Sequence, residues 1–216
     1  MSATPPSIVI VALVLGGPER VRVVLSSSSS TSTDSPRRPA RARARASNHP
    51  DRMAPHDLFP PLPFVTSLEG IGGCIKASAS DFCVTEVGDP SEPCADGKHA
   101  HVTLTRSDLN TRDVQQRLAK LFSVQVDEIG VAGLKDRTAR VTQTFSLPRE
   151  RLPKELRTTE STAQIAAMLR ESAGANGWVA PAEEPSWHRS KLKKGHLVGN
   201  RFEIIISQVR ASDGLG

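Results

Sequence analysis

The apolar spacing changes period twice between residues 99 and 147, and that switch restricts the fold more than any other feature of the chain. "HAHVTLTR" (99–106) alternates, with Ala100, Val102 and Leu104 on one side, as a half-buried strand requires. "NTRDVQQRLAKLF" (110–122) then sets Val114, Leu118, Leu121 and Phe122 along one helical stripe. Asn110 is the natural N-cap of that helix, and Asp113 adds negative charge to its first turn. "DEIGVAGL" (127–134) is an apolar strand candidate ended by Gly133, and "VTQTFSL" (141–147) is another strand with Val141, Phe145 and Leu147 on alternate positions. Strand, helix, strand, turn, strand is an α/β or α+β plan. On its flanks, "GGCIKAS" and "DFCVTEV" read as short strands and "NRFEIIIS" as a last strand. Residues 157–172 hold a weaker helix with Ile165, Met168 and Leu169, and "AGANGWVAPAEEP" reads as a linker.

Residues 1–61 lack this patterning. "SSSSSTSTDSP" and "RRPARARARA" offer too few large apolar groups to offset chain entropy, so the segment is expected to be a disordered leader ahead of a domain at 62–212. "SIVIVALVLGG" is too short to span a bilayer as a helix, and no basic residue precedes it as a signal peptide would require. An Arg- and Ser-rich, acid-poor leader also fits an organellar transit peptide; a third reading is an upstream translation with no biological use. Localisation beyond that is not fixed. The formal charge of +5 invites a nucleic-acid reading, but its distribution does not. Residues 1–50 carry seven Arg and two acids, and the rest of the chain carries 21 bases and 21 acids. Any RNA contact by the folded part must therefore come from local patches.

Three stretches carry candidate chemistry. In "GLKDR" (133–137), Gly133 would let the backbone turn where a Cβ clashes, and Lys135 and Asp136 emerge at a strand end. A neighbouring cation would keep Asp136 ionised as nucleophile or base; the plainer alternative is a turn with Asp136 capping a backbone N–H and Lys135 solvated. "WHRSKLKKGHLVGNRF" (187–202) holds Arg189, Lys191, Lys193, Lys194 and Arg201 without an acid. It reads either as a phosphate-contacting patch with a stacking aromatic or as a solvated loop. In "GGCIKASASDFCVTE", Lys76, Phe82 and Glu86 share a strand–turn–strand in which Phe82 could simply be core. His99 and His101 share a strand face but lack a third ligand at a sensible spacing, and Cys74, Cys83 and Cys94 show no metal-ligand spacing, so no metal is expected.

Taken in order, these pieces resemble the TruD family of tRNA pseudouridine synthases. "IKASASDFCVTE" is similar to its N-terminal signature of Lys, Asp-Phe and Glu. "DGKHAHVTLTRSDLNTRDVQQRLAKLFSVQVDEIGVAGLKD" follows the family through its His, the basic residue seven later and the Asn-Thr that opens a helix, to the hallmark Gly-x-Lys-Asp. "SKLKKGHLVGNRF" resembles the later Lys-Leu-x-x-Gly-x-x-x-Gly-Asn-x-Phe signature. The resemblance runs from roughly residue 68 to 207, and it is the ordered set that makes it specific.

The resemblance implies an RNA uridine-to-pseudouridine isomerase, with tRNA as the default substrate, no cofactor, no metal and no membrane partner. It implies a partial pseudouridine-synthase-type mixed β-sheet flanked by helices, an α+β fold. By motif position Asp136 is the catalytic carboxylate, and Phe202, beside Asn200, takes the place that a Tyr holds in other pseudouridine synthases. Lys76 and Phe82 match positions that line the uridine pocket, and Lys135, Gln143 and Lys191 complete the expected substrate- and RNA-binding set. One position departs from the family's Ala-x-Thr-x-Gln: Ala139 and Gln143 keep their spacing, but Val141 stands where Thr is usual, with Thr142 one place later. The family's second half, with its Phe-Gly and Arg-Phe signature, finds no counterpart after residue 207. The chain is therefore expected to be an N-terminal portion, dependent on a partner segment for stability or activity; the alternative is a non-catalytic RNA-binding fragment.

Overall fold

A computed structural model describes residues 8–14, 20–28, 72–88, 91–176, 178 and 181–209, whose backbone hydrogen bonds assemble one mixed sheet. The elements run β1 (Ile8–Val14), β2 (Arg20–Ser28), β3 (Phe82–Val87), β4 (His99–Ser107), α1 (Thr111–Phe122), β5 (Gly130–Val131), β6 (Arg140–Pro148), α2 (Thr162–Glu171), α3 (Ala173–Asn176), β7 (Ser186–His188) and β8 (Gly199–Ser207). The sheet order is β1-β2-β8-β3-β6-β4-β7, with β5 attached to β6. The β3–β6 pair is parallel and the other pairs are antiparallel. This is the expected α+β mixed sheet.

The core follows the two periods. Ala100, Val102 and Leu104 of β4 are fully buried beside Phe145 and Leu147 of β6, which the β4–β6 register aligns on the same face. Val114, Leu118 and Phe122 of α1, fully buried, and Ile165 and Leu169 of α2 complete this cluster, with Leu121 and Met168 at its margin. Each large aliphatic or aromatic side chain so buried contributes about 1.5–3 kcal/mol. The α1 cap is reciprocal: Asp113 N–H donates to Asn110 Oδ1 at 2.9 Å, and Asn110 N–H donates to Asp113 Oδ2 at 3.2 Å. A smaller apolar cluster of Val84, Ala139 and Val141, flanked by Phe82 and Phe202, extends the same face toward β8.

Several local expectations give way. "DEIGVAGL" forms only the two-residue β5, preceded by a 3-10 turn at Val126–Glu128. The loop after β7 crosses there: Gly195 N–H bonds Ala132 C=O at 2.8 Å, which removes the next ladder position. The crossing explains which glycine matters. A Cβ on Gly130 would lie 2.3 Å from Leu192 O, whereas one on Gly133 would meet Leu197 Cδ2 at an ordinary 3.4 Å, so Gly133 answers no steric demand. "GGCIKAS" is not a strand. Only Cys74 bridges Ser207, and Lys76 turns the chain with φ 60°. Part of "AGANGWVAPAEEP" is held rather than free: Trp178 is buried and its Nε1–H donates to Leu169 O at 3.1 Å. The leader is a separate matter: of residues 1–61 only 8–14 and 20–28 are described, as β1 and β2, with β2 pairing β8. β-branched runs such as "IVIV" and "VRVV" carry the propensity to extend an open sheet edge. Residues 29–61 lie outside the described residues. Among the described residues no helix is long and apolar enough to cross a membrane.

Candidate active site

The loop between β5 and β6 brings Lys135 and Asp136 to the edge of the smaller apolar cluster, and the two side chains part company. Asp136 faces outward, its side chain 64% exposed, and its Oδ2 accepts from Lys76 Nζ at 3.0 Å. The same ammonium sits 4.3 Å from the centroid of the Phe82 ring. Phe82 in turn meets Phe202 edge-to-face at 6.1 Å between centroids. Carboxylate, ammonium and two rings, contributed by three distant stretches of chain, thus form one surface. Lys76 reaches it from a left-handed backbone conformation, and it is Lys76, not Lys135, that pairs with Asp136.

Lys135 turns inward. Its Nζ lies 2.9 Å from Glu86 Oε2, with the two side chains 5% and 1% exposed, and it donates to Asn200 Oδ1 at 2.6 Å. That burial removes the alternative of a solvated lysine in a simple turn. Gln143, fully buried, donates to Gly133 O at 2.8 Å and lies 3.5 Å from Glu86 Oε2. Thr111 spends all its hydrogen-bonding capacity here: its hydroxyl donates to Gln143 Oε1 at 3.1 Å and accepts from Lys135 N–H at 3.1 Å and Arg106 Nη2 at 3.3 Å. Arg106, 1% exposed, also donates from Nη1 to Asp136 O at 3.3 Å and to Leu109 O. Burial pushes its guanidinium down to about 10, with nearby Asp113 acting in the opposite direction, so it stays protonated at neutral pH. A buried network therefore runs from β4 through α1, β6, β3 and β8 to the backbone of Asp136.

Of the residues singled out from sequence, Lys76, Phe82, Asp136 and Phe202 meet on the outer surface, and Lys135, Gln143 and Asn200 lie in the buried network behind it. Lys191 stands apart, its Nζ donating to Asp127 O at 2.9 Å. Val141, at the position where Thr is usual, fills the apolar cluster, while Thr142 bonds Thr105 across the other face at 2.9 Å. Sequence reasoning quotes Arg106, Thr111 and Glu86 as motif residues but gives none of them a role in the site. Arg106 continues the inward parity of Ala100, Val102 and Leu104, and Glu86 that of Phe82 and Val84; a charge on a buried parity is the available signal. Among the described residues, no group of three or more His, Cys, Asp or Glu is placed to hold a metal.

Comparison with known proteins bears on this arrangement. The family model described as tRNA pseudouridine synthase D (TruD) matches residues 62–214. The chain belongs to the TruD family. A tRNA pseudouridine synthase D of Geobacter metallireducens is 36% identical over 142 residues, covering 66% of this chain and 31% of that protein. One from Thermus thermophilus is 37% identical over 146 residues, covering 67% and 36%. A solved structure named for the TruD protein of Methanosarcina mazei superposes with a TM-score of 0.52 at 26% identity, covering 67% of this chain and 29% of that one. The chain thus spans about a third of the length of these TruD relatives.

Proposed function

We propose that this chain is the N-terminal portion of a TruD-type pseudouridine synthase acting on RNA, with tRNA as substrate and Asp136 as the catalytic carboxylate. The carrying observation is the outward-facing Asp136 carboxylate beside the Lys76 ammonium and the Phe82–Phe202 ring pair. Isomerisation breaks the N1–C1′ bond, turns the uracil and joins C5 to C1′; the C5 proton is lost and N1 regains one. Whether the carboxylate attacks C1′ or the ring, it must be ionised, accessible and beside an unstacked base. The Lys76 ammonium lies 3.0 Å from the carboxylate. Extruding the base costs a few kcal/mol, and stacking on Phe82 and Phe202 would return about 1–3 kcal/mol per base. Lys135, Gln143 and Asn200 act from behind, fixing the loop. The relatives named tRNA pseudouridine synthase D support the reaction class.

A second reading, an RNA-binding portion without turnover, draws on the one-third coverage of those relatives. The test is tritium release from C5-labelled uridine in tRNA, by the chain alone and joined to the remaining sequence of a relative. Release that Asp136→Ala abolishes is the expected result. Full release by Asp136→Ala would refute the assignment, and tight tRNA binding with no release in either form would favour the second reading.

A further inference from the structure

A second charged feature adjoins the site without belonging to it. A groove of about 380 Å³ lies between the start of α1 and the loop that follows β7, and its lining includes Arg112, Asp127, Leu134, Lys191, Lys193 and Lys194. Four bases face one acid there, although the bases and acids of residues 51–216 balance. The acid is already engaged: Arg112 Nη1 lies 3.0 Å from Asp127 Oδ1, and Lys191 Nζ is held by the Asp127 carbonyl. Lys193 and Lys194 are exposed, and among the described residues neither makes an ion pair.

These two lysines are not on a loose loop. Leu192 N–H donates to the buried Ser146 hydroxyl at 3.0 Å, and Gly195 N–H to Ala132 O at 2.8 Å. His196 N–H closes a turn onto Lys193 O at 3.0 Å, with Gly195 at φ 95° in its third position, as a type II turn demands. The ammonium groups are therefore presented from a fixed turn, hydrogen-bonded to the strand segment that leads into Asp136. Leu134 lines the groove, 69% exposed and two residues before Asp136, hence within about 7 Å of it along the backbone. An apolar side chain two residues from the carboxylate and four cationic side chains, with no ring among the lining residues, match a polyanionic strand whose charges, not its bases, are read.

We propose that this groove binds the phosphates of the RNA strand flanking the target uridine, so that the strand leaves Asp136 over Leu134 and runs between Arg112 and the Lys193–Lys194 turn. The assignment rests on the RNA-modifying reading above and adds the path of the backbone to it. Such contacts contribute affinity and salt dependence but not the choice of base.

The 216-residue protein is titrated with a transcribed tRNA by filter binding across a range of salt, beside Lys193→Ala/Lys194→Ala and the distant surface variant Lys154→Ala, with circular dichroism to confirm folding. The double variant should lower the magnitude of the log K against log[salt] slope by about 1.4–1.8, at about 0.7–0.9 for each phosphate that is no longer neutralised. Lys154→Ala should leave the slope unchanged. Wild-type binding with an unchanged slope in the folded double variant overturns the groove and leaves the enzymatic reading standing. Failure of the wild type to bind tRNA at any salt sinks both. A slope reduced toward polyglutamate but kept toward tRNA would assign the groove to an acidic protein and overturn the proposal.

Discussion

Replacing Glu86 by Gln should destabilise the fold by about 3–5 kcal/mol, the range for removing one partner of a buried ion pair. The geometry explains the size. Lys135 Nζ has Glu86 Oε2 at 2.9 Å and Asn200 Oδ1 at 2.6 Å, in a place where the two charged side chains are almost wholly shielded from water. Gln keeps the shape and one acceptor but leaves the ammonium uncompensated. Lys135→Met strands the carboxylate instead and should cost a similar amount. The double variant Glu86→Gln/Lys135→Met removes both charges and should cost about 2–3 kcal/mol less than the sum of the singles. Urea unfolding followed by tryptophan fluorescence suits this measurement, because Trp178 and Trp187 are both 3% exposed in the main core. With slopes of about 1–3 kcal/mol per molar, the single variants should lower the midpoint by at least about 1 M. Single variants within about 1 kcal/mol of wild type, the level of an exposed pair, would refute the reasoning, as would strict additivity.

Phe202→Ala should weaken tRNA binding by about 5- to 150-fold, the equivalent of about 1–3 kcal/mol of base stacking; equal affinity in filter binding would remove this ring from the proposed pocket wall. His99 is held below its ordinary value chiefly by burial, so its folded form favours the neutral ring. As pH falls below about 6.5 the unfolded chain takes up the proton first, and unfolding free energy should drop by no more than about 1.4 kcal/mol per pH unit from this residue. His99→Gln should flatten that decline in urea midpoints between about pH 5 and 7.5; an identical decline would count against the assignment.

How much could be read from the chain depended on how local each cause was. The β4–α1 boundary was legible because both periods and the Asn110 cap lie within a few residues of it. The motif residues that gather at the surface were legible through their order. The division of labour inside "LKD" was not: two adjacent charges look alike in a sequence, and only Glu86, 49 positions upstream, decides that Lys135 goes in and Asp136 stays out. The same holds for "DEIGVAGL". Its apolar run supports a strand, but Gly195, brought back from more than 60 residues downstream, takes the Ala132 carbonyl and holds the pairing to two residues. The strands at 8–14 and 20–28 depend likewise on β8, which lies more than 170 residues further along the chain.

The loop around Asp136 separates two tasks by burial. Its peptide groups are held from below: Gly133 C=O by Gln143, Lys135 N–H by Thr111, and Asp136 C=O by Arg106. A fully buried group deprived of its partner costs about 1–3 kcal/mol, and three such bonds to partly buried groups together restrain the backbone. The carboxylate, by contrast, is held by Lys76 in a half-exposed pair worth at most about 1 kcal/mol. On the proposed reading, an incoming nucleotide would draw Lys76 toward a phosphate, or take its place beside the carboxylate, without disturbing the loop that aims it. A fixed backbone below and a weakly retained cation above are what a carboxylate needs if it must be both pre-positioned and available to react.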